Sequence, residues 1–69
     1  MTLNVGDLFQ QAWNGCDKPM YFKVLSIDRP NNKLTVKCTN NEGYSHEEVW
    51  DDLDIAEMAF EIGEYSLMN

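Results

Sequence analysis

The sequence contains few of the features that mark secreted or membrane-spanning proteins. Only two of its 69 residues are cysteines, which is too few for the disulfide framework of a small secreted scaffold. Its apolar runs are a few residues long, too short for a transmembrane helix. Residues 1–7 have neither the basic start nor the apolar run of a signal peptide. We therefore expect a cytoplasmic protein.

Sequence motifs typical of enzymes are also missing. There is no Gly-rich phosphate loop, no Gly-x-Ser-x-Gly and no pair of carboxylates at a recognisable catalytic spacing. The single histidine, His46, would share a strand face with Glu48, and a Cys38–His46 pair could in principle supply a nucleophile and a base. An exposed polar residue on an edge strand explains His46 more simply. The sequence predicts no enzyme, no catalytic residues and no cofactor.

Potential metal ligands are few and widely spaced. Cys16, Cys38 and His46 offer three zinc ligands without a short-spaced pair. The acidic run at residues 51–54 lacks the glycine and the distal glutamate of an EF-hand loop, and an acidic helix start explains it. No metal site is predicted. We expect Cys38 to be a buried free thiol and Cys16 to be exposed, since a disulfide between them would need an oxidising compartment.

Basic residues are absent after Lys37, although the protein as a whole carries a net charge of −7. Five basic residues against three acids give residues 1–37 a charge of +2, whereas nine acids give the remainder −9. This asymmetry bears on partners and association rates rather than on the fold.

A β-hairpin from Met20 to Thr39 is the best-defined element in the pattern. Residues 33–39 alternate polar and apolar, with the apolar set on one face, as in a strand with one buried side. The first half changes phase near Val24 and Leu25, so a bulge or a strong bend is expected there. Residues 28–32 contain a proline and two asparagines, which favour a turn.

Four further elements complete the prediction. Residues 3–13 and 44–50 indicate strands on either side of the hairpin, and residues 65–68 a short final strand. Leu53, Ala56 and Phe60 have helical spacing, widened by Ile55, Ala59 and Ile62, after aspartates that can cap a helix. Gly63 suits a left-handed helix end, so we predict a helix over residues 52–62.

This order predicts one mainly β domain over residues 1–69, with about five short antiparallel strands and one short helix near the C-terminus. Gly6-Asp7-x-Phe9, the hairpin and a late helical segment before the last strand resemble SH3-like barrels. The run from Trp50 to Tyr65 is also similar to the tail of small uncharacterised bacterial proteins of this shape. The resemblance implies a small barrel and no particular activity.

Charge and aromatic content favour a protein-interaction module that could self-associate as a homodimer. Surface aromatics serve as binding anchors and acidic groups provide electrostatic contact; the candidate residues are Trp13, Tyr44, Trp50, Asp51, Asp52, Asp54 and Glu57. The alternative is a nucleic-acid-binding barrel that uses Lys23, Lys33 and Lys37, or an acidic mimic of nucleic acid. The net negative charge opposes direct nucleic-acid binding.

Overall fold

The computed structural model describes residues 2–11, 20–40 and 42–68. They form one antiparallel sheet with the strand order β4-β3-β2-β1-β5 and a helix between the last two strands in sequence. The elements are β1 (Leu8–Gln11), β2 (Met20–Asp28), β3 (Lys33–Asn40), β4 (Ser45–Trp50), α1 (Leu53–Glu61) and β5 (Tyr65–Leu67). The predicted mainly β fold with five antiparallel strands and one late helix is confirmed.

The central hairpin joins β2 and β3, and its register shifts between Val24 and Ser26. This is the predicted bulge, with Leu25 as the extra residue. Phe22 and Val24 are buried and Ile27 packs against the core, but Leu25 is half-buried and outside the core cluster. The bulge therefore points Ile27 to the same face as Phe22 and Val24, while Leu25 stays outside the core.

The core lies between one face of the sheet and α1. Phe9 is fully buried at its centre, and its ring lies 5.0–6.2 Å from four others. The four are Phe22, Trp50, Phe60 and Tyr65. Aromatic rings at such centroid distances attract one another beyond the area that they bury. These five of the eight aromatic residues in the sequence therefore pack in or against the core.

The helix lies where the sequence predicts it, although its outer face differs from the prediction. Leu53, Ala56 and Ala59 are buried, whereas Ile55 and Ile62 are 60% and 65% exposed. The prediction that these two isoleucines widen the buried stripe is therefore wrong, since only one side of α1 meets the sheet.

A glycine in the left-handed region ends the helix, as predicted. Gly63 has φ 83°, its N–H bonds to the carbonyl of Phe60, and the Glu64 N–H bonds to that of Ala59. These two bonds define a Schellman motif, which satisfies carbonyls that the helix leaves open. The motif turns the chain from α1 directly into β5.

Within the described residues, no helix has the length and apolar character needed to cross a membrane.

Candidate functional site

A pocket of ≈ 200 Å³ opens where the end of β4, α1 and the start of β5 meet. Trp50 and Tyr65 contribute its aromatic rings, whose centroids lie 6.3 Å apart at 23°. Small-molecule sites usually measure roughly 300–1,000 Å³. The size of this pocket suits one side chain of a partner better than a cofactor.

The polar part of the pocket is acidic. Asp52 and Glu64 line it beside the two aromatic rings. The pKa of Tyr65 is raised, chiefly by burial of its hydroxyl and further by the negative charges of Asp52 and Glu64. Both carboxylates therefore act electrostatically on the interior of the pocket. Aromatic rings next to carboxylates favour a cationic group over a neutral or anionic one.

An exposed apolar strip on α1 and its C-cap residue lies beside the pocket. Ile55 lines the pocket and is 60% exposed, and Met58 and Ile62 are 57% and 65% exposed. These three residues follow at i, i+3 and i+7, which places them on one side of a helix. The surface next to the acidic pocket is thus apolar.

Two of the predicted protein-binding residues, Trp50 and Asp52, meet in this pocket. Trp50 is half-buried and packs against the core, so it contributes both to the core and to the pocket wall. Tyr44 is 64% exposed and precedes the opposite end of β4, roughly 20 Å along the strand from Trp50. Trp13 lies outside the described residues.

The other predicted acidic contacts have partners within the chain. Glu57 accepts hydrogen bonds from the Leu3 N–H at 2.6 Å and from both terminal nitrogens of Arg29 at 3.0 and 3.1 Å. Its pKa is lowered, mainly by the Arg29 hydrogen bond, and burial opposes this shift. Asp51 lies 3.7 Å from the ammonium of Lys33, and Asp54 bonds to Asn32. All three acids therefore contact groups of the chain itself.

The helix start is closed by a distant residue. The sequence predicts a cap by an aspartate, but Asp52 at the N-cap makes no side-chain capping bond. Instead, the backbone carbonyl of Asn32 accepts the Leu53 N–H and its side-chain oxygen accepts the Asp54 N–H at 3.0 Å. Asp52 is therefore free of a capping role and available to the pocket.

A second cluster of chemically active groups lies on the core side of β3 and β4. Cys38 pairs with His46 in the sheet register, and Glu48 follows two residues later on the same face. Their ligand atoms all lie within 4.8 Å of one another. The sequence pattern predicts His46 on the same face as Glu48 and allows a Cys38–His46 pair, but it does not bring the three residues together. The strand register was the missing information.

Glu48 is the acceptor at the centre of this cluster. Its carboxylate lies 2.6 Å from His46 Nε2 and accepts the Trp50 indole N–H at 3.0 Å. Both hydrogen bonds lower the pKa of Glu48, and the bond from Trp50 has the larger effect. Burial raises the pKa of the Cys38 thiol to about 11, with further contributions from the charge of Glu48 and from its hydrogen bond. The thiol is thus protonated at neutral pH and unsuited to act as a nucleophile.

The three lysines of the nucleic-acid alternative do not form one uninterrupted basic surface. Lys23 and Lys37 face each other across β2 and β3, and Lys37 also faces Glu47 on β4. Lys33 lies near Asp51, 3.7 Å away. Negative groups therefore adjoin two of the three lysines.

Models of protein families give no match to the sequence, and searches of curated proteins and of solved structures give none either.

Proposed function

We propose that this protein is a cytoplasmic, non-enzymatic protein-interaction module that binds a basic segment of a partner at the pocket beside α1. The observation that carries the proposal is the combination of Trp50 and Tyr65 with Asp52 and Glu64 in one small pocket. An arginine or lysine side chain fits such a pocket through cation–π contact and charge attraction. The net charge of −7 favours approach by a basic partner.

The apolar strip defines the rest of the partner. Ile55, Met58 and Ile62 are exposed next to the pocket, so a basic residue flanked by apolar side chains would cover both features. Burial of exposed apolar area contributes roughly 25 cal/mol per Å² before the costs of association are subtracted. The partner chemistry is therefore a segment that combines arginine or lysine with leucine-like residues.

The proposal is tested by calorimetry with three matched synthetic peptides. The first carries one arginine flanked by leucines, the second has glutamine for the arginine, and the third has serine for the leucines. We expect the first to bind at least about tenfold more tightly than either of the others, which corresponds to about 1.4 kcal/mol. Equal binding of the arginine and glutamine peptides would contradict the cationic pocket.

Variants of the protein locate the binding surface. The double variant Asp52→Asn/Glu64→Gln should lose the preference for arginine, whereas Glu47→Gln, on the outer face of β4, should keep it. Ile55→Thr should weaken binding, and Val49→Thr, at a residue that is 62% exposed on that outer face, is its matched control. Equal effects of Ile55→Thr and Val49→Thr would exclude the helix surface.

Sedimentation at several protein concentrations separates a second copy from a different partner. The chain has basic side chains of its own, such as Lys23 and Lys37 on the outer sheet face. If the protein dimerises and the double variant Asp52→Asn/Glu64→Gln abolishes the dimer, the occupant of the pocket is a second copy of the chain rather than a different protein. If the protein stays monomeric at all concentrations, the partner is a different protein.

A further inference from the structure

We propose that Cys38, His46 and Glu48 form a binding site for a divalent transition-metal ion, and Zn²⁺ is the ion that we expect. A thiolate, an imidazole and a carboxylate are all ligands that zinc accepts in proteins. Three such ligands leave a fourth tetrahedral position open for water or for a group of another molecule. This site shares no residue with the pocket beside α1, although Glu48 accepts the indole N–H of Trp50 in the pocket wall.

The sheet register holds the three donors together. Cys38 and His46 are directly opposed on β3 and β4, and Glu48 follows His46 on the same face of β4. Opposed residues of antiparallel strands have Cβ atoms about 4.5–5.5 Å apart, which suits side chains that share one ion. Ligands on paired strands are positioned more firmly than ligands on loops. The backbone therefore needs no rearrangement to present them.

Side-chain rotations would bring the more distant donors closer together and separate His46 Nε2 from the Glu48 carboxylate, which are 2.6 Å apart. The ligand atoms lie within 4.8 Å of one another, whereas zinc bonds of about 2.0–2.3 Å place tetrahedral ligands roughly 3.5 Å apart. Cys38 is fixed, since it is 1% exposed. The side chains of His46 and Glu48 are 37% and 46% exposed, so both can rotate toward the thiol.

An unsatisfied atom provides a second, independent indication. Nδ1 of His46 is buried and has no hydrogen-bond partner among the described residues. Because an ionised carboxylate only accepts hydrogen bonds, the nitrogen that lies 2.6 Å from Glu48 is Nε2 with its proton. In the neutral ring, the lone pair is then on Nδ1, so the imidazole retains one ligand atom that no described residue uses. A buried polar atom without a partner is costly unless something else binds it.

The donors themselves supply charge that suits a cation. Glu48 contributes a carboxylate, and metal binding converts the Cys38 thiol into a thiolate. The thiol proton passes to solvent when the ion binds. No oxidant or further reactant is required.

Titration with Co²⁺ and Zn²⁺ tests the site. The experiment uses the full chain with Cys16→Ser, which leaves Cys38 as the one remaining thiol. We expect one Co²⁺ per chain with a thiolate-to-cobalt charge-transfer absorption that Zn²⁺ abolishes by displacement. Absence of the charge-transfer absorption at saturating Co²⁺ would overturn the proposal.

Variants then identify the ligands. His46→Gln and Glu48→Gln change partly exposed side chains, and each should weaken Co²⁺ binding by at least about tenfold, as loss of even outer partners does in metal sites. Glu47→Gln removes the same charge from the adjacent residue and should leave the affinity unchanged. Circular dichroism verifies the fold of every variant. Equal weakening by Glu47→Gln and Glu48→Gln would reduce the effect to general charge and refute the site.

Discussion

Asn32 and Asp54 bond to each other across 22 residues of sequence, with Asn32 Nδ2 2.8 Å from Asp54 Oδ1. The side-chain oxygen of Asn32 also accepts the Asp54 N–H at 3.0 Å. The turn between β2 and β3 is thereby joined to the first turn of α1. Since Asp52 and Ile55 lie in or beside that first turn, the position of the pocket depends on this contact.

Two substitutions of Asn32 should distinguish how much its side-chain hydrogen bonds and its backbone conformation each contribute to stability. Asn32 has φ 57°, a region that glycine adopts without strain. Asn32→Gly should lower the free energy of unfolding by about 1 kcal/mol through loss of the side-chain hydrogen bonds to Asp54. Asn32→Ala should cost about 1 kcal/mol more, because alanine is strained in the left-handed region. Chemical denaturation measures both, and equal values would show that the conformation contributes nothing.

Glu57 should make the fold sensitive to acid. Its pKa in the folded protein is lowered, chiefly by Arg29, relative to about 4.3 in an unfolded chain. The stability that it contributes is therefore complete above that unfolded value and is lost as the pH falls through the lower folded value. Between pH values of about 6 and 3, the wild type should lose more stability than Glu57→Gln. Denaturant midpoints across this range measure the difference, with Glu47→Gln as the control; parallel curves for wild type and Glu57→Gln would contradict the role of the Arg29 contact.

The Cys38 thiol should be nearly inert in the folded, metal-free protein. It is 1% exposed and its pKa is raised to about 11, whereas only the thiolate reacts with alkylating reagents. In the Cys16→Ser variant, alkylation near pH 8 should be at least about a hundredfold slower in the folded than in the unfolded chain. Mass spectrometry of the time course measures both rates. Similar rates would show that β3 and β4 open readily at this position.

The outer sheet face should not carry the interaction. Lys23→Gln/Lys37→Gln removes two like charges that face each other, and we expect the affinity for the arginine peptide to change less than about twofold, as for exposed charges remote from a contact. Single-stranded oligonucleotides should not bind measurably at about 0.15 M salt. Oligonucleotide binding that weakens steeply with salt and disappears in this double variant would instead establish the nucleic-acid alternative.

Local patterns predicted most of the fold. Alternation along β3, the phase change near Leu25, the helical spacing from Leu53 and the glycine at position 63 all depend on neighbouring residues. Their outcomes agree with the structure because backbone preference and side-chain burial favour the same local conformation there.

The candidate sites were harder to predict because they depend on contacts between distant segments. Glu64 enters the pocket only after the chain turns at Gly63, and Glu48 meets Cys38 only through the register of β3 and β4. The contact between Glu57 and Arg29 could not be predicted, because nothing near Glu57 in the sequence indicates it. Spacing along the chain carries no information on such pairs.

The same face of β4 supplies side chains to both candidate sites: His46 and Glu48 to the metal cluster and Trp50 to the pocket. Strand side chains alternate between faces, so a shift by one residue would turn all three outward together. Substitutions can remove either site alone during evolution, whereas a single-residue insertion or deletion within β4 would disrupt the face on which both depend. Descendants of this chain that retain one site should therefore preserve the length of β4 even where the other site has been lost.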